Sequence, residues 1–394
     1  MANANTGRGC KLVLFILASA AVLVLVGCDV VRRPEGWSAG TVSDDTLFIG
    51  TMQGEVMALG KDDGAIFWRF ELPTQEDADK GIYGSPAVFG DITVPGADAT
   101  ILVGGYDGVL YAYSSLGGGI KWQERLAGRI VGGPVVSGNL ALVGTGAAGS
   151  SDRSENVLYA VDLTEGDPVW EYNHAGPIWS SPTVSNGVVY FGSLDHYVYA
   201  VNVDDGSEKW KYRTGGAVAS GVAVYDGLVI FGGFDSNLYA LDSETGILKW
   251  KFPDATRWYW AAPLVQDGVV YAPSLDGALY ALEADTGDLI WKYFSEGQLI
   301  GTPAIINDLI AVPVADGGDS KIALLEKNGT QQAACRIGSD IRTSLEASGD
   351  LIYFAATDHS IMALRIKPNG NPDEEWIVKT NEDDPHPRDR AKAC

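Results

Sequence analysis

The sequence predicts an all-β fold, an eight-bladed β-propeller of four-stranded antiparallel blades. Three observations predict it. An alanine is followed ten residues later by a tryptophan at Ala58/Trp68, Ala112/Trp122, Ala160/Trp170, Ala200/Trp210, Ala240/Trp250 and Ala281/Trp291. A glycine sits six residues after each of these alanines, at Gly64, Gly118, Gly166, Gly206, Gly246 and Gly287. Short alternating apolar runs are separated by hairpin dipeptides such as Asn186-Gly187 and Asp276-Gly277. Two looser copies follow, Ala323 with Cys335 in the tryptophan place and Ala363 with Trp376, which makes eight units. A period near 40 built of short strands is the mark of a propeller. One unit cannot bury its own faces, so the repeat argues for a single closed ring over residues 37–380.

Within a unit the chemistry is that of a strand, a tight turn and a second strand. Tyr239 and Leu241 flank Ala240 in strand-like alternation. Asp242 to Gly246 is turn chemistry, since Asp bonds its own nearby backbone and Gly tolerates positive φ. Trp250 then supplies a large apolar face with one N–H to satisfy. In unit 1 the strands are expected over residues 37–42, 46–51, 55–59 and 65–70; in unit 4, over 180–184, 188–192, 197–201 and 208–213. They are taken as strands A to D from the centre outward. Units 2 and 3 carry extra residues near 91–99 and 146–155, and unit 7 is degenerate.

The ends read differently from the ring. Arg8 and Lys11 precede a short apolar run over residues 12–26, and Gly27-Cys28 follows. A basic end, an apolar core and small residues before a cut site form a secretory signal peptide over residues 1–27. The run is short for a spanning helix. Gly27-Cys28 resembles a bacterial lipobox, which implies acylation of Cys28 and a membrane anchor on the extracytoplasmic side, periplasmic or cell-surface. Residues 28–36 then form a tether, and residues 381–394 a polar tail expected to be disordered. Asp29, directly after Cys28, resembles an inner-membrane retention signal of enteric-type bacteria. With Cys10 in the signal and Cys28 acylated, Cys335 and Cys394 remain, and their pairing stays open. The net charge of −23 disfavours nucleic acid and anionic membrane surfaces as partners.

Residues 240–250 fit the pattern Ala-x-Asp-x-x-Thr-Gly-x-x-x-Trp at every specified position, and residues 281–291 depart from it only at Glu283. This pattern resembles the tryptophan-docking motif of pyrroloquinoline-quinone (PQQ) type repeats. In that family the tryptophan is wedged between blades, so Trp68, Trp122, Trp170, Trp210, Trp250, Trp291 and Trp376 are expected to be structural. The family holds quinoprotein dehydrogenases, which carry PQQ and Ca²⁺, and non-catalytic propeller lipoproteins of the BamB kind. The dehydrogenases are much longer and often have a vicinal cysteine pair, which this chain lacks. The lipobox, the ring and the length are similar to the lipoproteins.

Aligning the units on the start of strand A places Trp37, Tyr83, Val131, Trp179, Ala219, Trp260, Ile300 and Arg342 in one column. If the innermost strands line the pore, this column rings one mouth. Trp37, Tyr83, Arg129, Trp179, Arg257, Trp258, Trp260 and Arg342 are therefore the candidate binding residues, an aromatic collar that can grip a peptide or a flat ligand. The opposing expectation is that these rings pack between blades. Asp107, Asp195, Asp235, Asp276 and Asp358 recur five before the motif alanine and are read as hairpin closers rather than a metal ring. His174, His196, His359 and His386 lack metal-ligand spacing, and no catalytic set is found. The resulting expectation is a monomeric, non-catalytic, lipid-anchored propeller that binds a protein partner without cofactor or metal. The alternatives are a PQQ-dependent oxidoreductase and a sensor that binds PQQ or polysaccharide.

Overall fold

A computed structural model describes residues 38–73, 81–90, 96–146, 153–318 and 320–380. The signal peptide, Cys28, Asp29, the tether, Trp37, His386, Cys394 and the C-terminal tail lie outside the described residues.

The described strands form eight sheets of four, each ordered as the chain runs. Blade 4 shows the pattern: strand A is Thr183–Ser185, B is Val188–Gly192, C is Tyr197–Asn202 and D is Glu208–Arg213. All pairings are antiparallel, and strand A is shorter than the sequence pattern suggests. Strands A of adjacent blades touch, including Thr41–Ser43 of blade 1 and Glu346–Ser348 of blade 8. The blades therefore converge on strand A and the ring closes. Closure borrows no strand among the described residues, because blade 8 supplies its own four. Apolar side chains of blades 8 and 1, among them Tyr353, Trp376, Leu47 and Ile49, pack into one buried cluster.

The recurring motif is explained by what each of its residues meets. Ala240 stands opposite Trp250 in the C–D ladder, and the register shifts immediately after the alanine. Asp242 accepts the backbone N–H groups of Glu244 and Thr245 at 3.1 and 2.9 Å, which folds the turn. Gly246 has a φ of +69°, and a Cβ there would lie 2.7 Å from the ring of Trp210 in the preceding blade. Glycine is thus required twice, by conformation and by contact. The indole N–H of Trp210 reaches the carbonyl of Ser243 in the same turn at 2.9 Å. Trp68, Trp122, Trp170, Trp250, Trp291 and Trp376 make the same bond, to the carbonyls of Ser115, Leu163, Val203, Ala284, Lys327 and Lys61, at 2.8–2.9 Å. Each indole lies against the next blade with its one polar atom satisfied.

Blade 7 breaks the series, and the alignment there needs correction. Ala323 pairs with Ala334, and Leu324 pairs with Ala333 just before the register shift. Leu324 and Ala333 therefore occupy the alanine and tryptophan places, not Ala323 and Cys335. Between blades 7 and 8 the amide of Gln332 lies against Gly370 and donates to the carbonyl of Asn369 at 3.0 Å. A hydrogen bond of that kind replaces a buried indole. Cys335 is 1% exposed and disulfide-bonded, to a partner outside the described residues.

Removing one indole leaves a cavity at a blade interface, whereas removing the amide loses one exposed contact. Trp250→Ala is expected to lower unfolding free energy by about 3–5 kcal/mol, and Gln332→Ala by about 1 kcal/mol, read from urea denaturation midpoints. Equal losses would contradict the assigned difference between the seams.

Candidate functional site

The D–A connections and the B–C turns meet at one end of the ring. The D–A connections entering blades 2, 4, 5, 6 and 7 are each stitched between two B–C turns. In the connection entering blade 6, the Trp258 carbonyl accepts the N–H of Leu275, and the Tyr259 N–H donates to the Gly233 carbonyl. This backbone stitching sets which side chains turn inward. Ile82, Ile130, Ile178, Val218, Tyr259, Leu299 and Ile341 are fully buried or nearly so. Tyr259 lies against Gly232 of blade 5, where a Cβ would come within 2.1 Å of it. Burying this residue turns its successor toward the mouth, which is why Tyr83, Trp179, Trp260 and Arg342 share a column. Tyr259, in the middle of the densest aromatic run, belongs to the core.

The candidate residues do not form one uniform collar. Trp258 stacks on Phe234 with centroids 4.7 Å apart and planes 10° apart. Trp260 also stacks on Phe234, at 5.5 Å and 19°. Trp179 reaches the edge of this group, 6.3 Å from Trp260. Four rings from blades 4 to 6 thus form a continuous chain, which stays open at Trp258, 48% exposed, and at Trp260, 41% exposed. Arg257 flanks it, donating to the carbonyl of Leu275 at 3.4 Å. Tyr83 belongs to another group: it lies 4.9 Å from Tyr106, which carries the guanidinium of Arg129 over its ring at 4.6 Å. Arg129 also donates to the Tyr106 hydroxyl at 2.9 Å. Arg342 is ion-paired with Asp340 at 3.0 Å. Trp37 lies outside the described residues.

Phe234 and Tyr106 were not among the residues read from the sequence. Both stand in the B–C turn directly before the recurring aspartate, in Gly233-Phe234-Asp235 and Gly105-Tyr106-Asp107. An aromatic residue between the strand-B glycine and the hairpin aspartate is the signal the sequence carries for them.

The aspartates themselves are spent inside the turns. Asp107, Asp195 and Asp276 accept the hydroxyls of Tyr111, Tyr199 and Tyr280 at 2.7, 2.6 and 2.9 Å, and Asp235 accepts that of Tyr239. Each also accepts a backbone N–H two residues on. Burial, and secondly the adjacent carboxylate, pushes these phenols upward, so they remain donors. Asp358 instead pairs with Lys379 and accepts from Ser360. Among the described residues no group of three or more His, Cys, Asp or Glu is placed to hold a metal ion.

A comparison with protein families matches residues 25–94, 75–177, 107–253 and 254–368 to the family described as outer membrane protein assembly factor BamB. The chain belongs to this BamB family. Among solved structures it is similar to BamB from Moraxella catarrhalis, with 19% identity and a TM-score of 0.66 over 81% of this chain and 93% of that one. The computationally designed Ika8 protein is similar at 17% identity and a TM-score of 0.66, over 86% of this chain and 95% of that one. A europium-containing methanol dehydrogenase is similar at 14% identity and a TM-score of 0.67, over 83% of this chain and 81% of that one. At these identities the structural likeness establishes the shared propeller fold and nothing finer. A search of curated proteins finds no match to this sequence. The BamB-family segments together run from blade 1 into blade 8, stopping before its last strand, and include blade 7, where the tryptophan is missing.

One titratable group sits in the connection that delivers Trp179. His174 packs against Tyr172, Phe191 and Tyr199, at 6.4, 5.5 and 5.5 Å between centroids. Both ring nitrogens are buried and have no hydrogen-bond partner among the described residues. Burial lowers its pKa to about 4, against the opposing pull of Asp195. Between about pH 6.5 and 4 the unfolded chain therefore binds a proton that the folded chain refuses. Stability is full above that window and falls as pH drops through it. His174→Phe is expected to flatten the decline by up to about 1.4 kcal/mol per pH unit; urea midpoints measured from pH 7 to 4 in both proteins provide the check.

Proposed function

We propose that this BamB-family propeller is a lipid-anchored, extracytoplasmic scaffold that binds protein partners at its aromatic mouth and carries out no chemistry of its own. The observation that carries this reading is the ring chain Trp258–Phe234–Trp260–Trp179, held rigid by backbone bonds yet exposed at Trp258 and Trp260. Flat aromatic anchors on a preorganised frame bind an apolar or aromatic side chain with little further loss of freedom. The charge of −23 favours a partner that carries basic residues beside those anchors. The family description, outer membrane protein assembly factor, supports a role among proteins of the cell envelope. Asp29, directly after Cys28, supports retention at the inner membrane in a host that sorts lipoproteins as enteric-type bacteria do.

The residues at the mouth do not suit a quinone with calcium. Phe234 is already stacked with Trp258 and Trp260, and the nearby aspartates are committed to tyrosine hydroxyls and backbone N–H groups. A stoichiometric chromophore on adding PQQ and Ca²⁺ would overturn the non-catalytic reading.

Two outcomes are expected. Arg257→Ala/Trp258→Ala should reduce cross-linked capture of envelope proteins at least about tenfold, with an unchanged melting curve because both side chains are exposed; capture equal to that of the unaltered protein would remove the mouth as the site. Cys28→Ala should shift the chain from the detergent-soluble membrane fraction to the soluble extracytoplasmic fraction, as read by fractionation and by mass spectrometry of the N-terminus.

A further inference from the structure

Where strand D passes into the D–A connection, one residue sends its backbone N–H to a carbonyl of the same blade's B–C turn. The side chain at this place follows one of two solutions. Blades 1, 2 and 7 fill it with Leu72, Leu126 and Ile337, all buried. Blades 4, 6 and 8 fill it with Thr214, Ser295 and Thr380, whose hydroxyls donate to the same turn carbonyl as the N–H, at 2.9, 3.0 and 3.3 Å. In blade 3 the residue is His174, with its N–H on the carbonyl of Asn156 at 3.2 Å. It is the one titratable side chain among the described residues that make this bond. It matches neither solution, because both ring nitrogens are buried without a partner, in a cage of Tyr172, Phe191 and Tyr199.

We infer that His174 is an acid-operated latch: a proton on its ring frees the connection over residues 174–179, draws Trp179 away from Trp260 and weakens binding at the mouth. The control of binding rests on the mouth reading above, whereas the latch itself does not. The cage has no place for the charge. Asp195, in the B–C turn of blade 4, already accepts the Tyr199 hydroxyl and the Tyr197 N–H, at 2.6 and 3.1 Å. On strand D of blade 4, Glu208 accepts the Tyr172 hydroxyl and pairs with Lys211 at 3.1 Å. Phe191 and the Asn156 amide bring no charge. An imidazolium there has no acceptor and must reach water. Its departure opens the cage, and Tyr172, Phe191 and Tyr199 belong to the cluster that buries Ile178. Only Ala175, Gly176 and Pro177 separate His174 from Ile178, whose burial turns Trp179 to the mouth. At neutral pH the closed form is held by the Ser193 hydroxyl on the Gly176 carbonyl at 3.1 Å and the Leu194 N–H on the Pro177 carbonyl at 3.0 Å. The ring titrates near its ordinary value of 6.5 when exposed and at about 4 when buried. Between pH 7 and pH 5, proton binding therefore favours any form that exposes it by about twentyfold.

His174→Leu is the comparison, because leucine fills the same place in blades 1 and 2. Amide hydrogen exchange on the full chain at pH 7 and pH 5, corrected for the intrinsic rate, tests the latch. Exchange over residues 174–179 is expected to rise about twentyfold in the unaltered protein and to stay level in the variant. An equal rise in both proteins, no rise in the unaltered one, or a rise spread evenly round the ring overturns the latch. Cross-linked capture of envelope proteins tests its consequence. Both proteins are expected to capture alike at pH 7, and the unaltered protein about threefold less than the variant at pH 5. Equal capture at pH 5 overturns the control of binding, whatever the exchange shows. Capture by neither protein at either pH overturns the mouth reading and the control of binding together, and the exchange result still decides the latch.

Discussion

An indole N–H bonded to a carbonyl of the neighbouring blade is the interaction on which the rest of this molecule depends. Each blade is a twisted sheet with two apolar faces that it cannot bury without its neighbours. What joins them is a side chain large enough to fill the outer part of the seam and polar at one point only. Trp210 on Gly246, bonded to the Ser243 carbonyl, shows the unit, and six other tryptophans repeat it. The last of them, Trp376 on Lys61, joins the end of the chain to its first described blade. The same contact therefore builds the seams and closes the ring.

Stability and recognition are divided along each D–A connection. A buried residue such as Tyr259 or Ile178 locks the connection against the preceding blade, and the next residue is thereby turned to the mouth. The mouth can vary in chemistry without disturbing the seams, because its side chains add little to the core. In this chain the variation is uneven. Aromatic rings gather at blades 4 to 6 and a tyrosine–arginine group at blades 2 and 3, whereas blade 8 contributes Arg342, ion-paired with Asp340. Blade 7 shows what happens when the seam motif lapses: Gln332 supplies a single hydrogen bond, and a disulfide appears beside the missing indole.

The fold was legible because its determinants are local and repeated. Ala240, Asp242, Gly246 and Trp250 each have a steric or hydrogen-bonding reason that can be read from residue type and spacing, and six copies average out accident. The alignment failed at blade 7 because Ala323 preserved the letter of the motif while a shortened turn moved the register by one residue. Only the C–D pairing reveals that Leu324 and Ala333 hold the places concerned. The candidate site was half legible. Trp179, Trp258 and Trp260 could be placed at the mouth by counting from strand A, but Phe234, which joins them, comes from another blade's hairpin.

The sequence by itself determined the number of blades, their strand order and the residues between them, since these follow from turn chemistry and from the volume of a tryptophan beside an alanine. Tertiary structure alone decided which aromatic rings meet. Trp258 and Tyr259 are adjacent in the chain, yet one is exposed on a stacked surface and the other is buried against Gly232. Their separation depends on hydrogen bonds to two different B–C turns, at Leu275 and Gly233, a long-range constraint that no local pattern encodes.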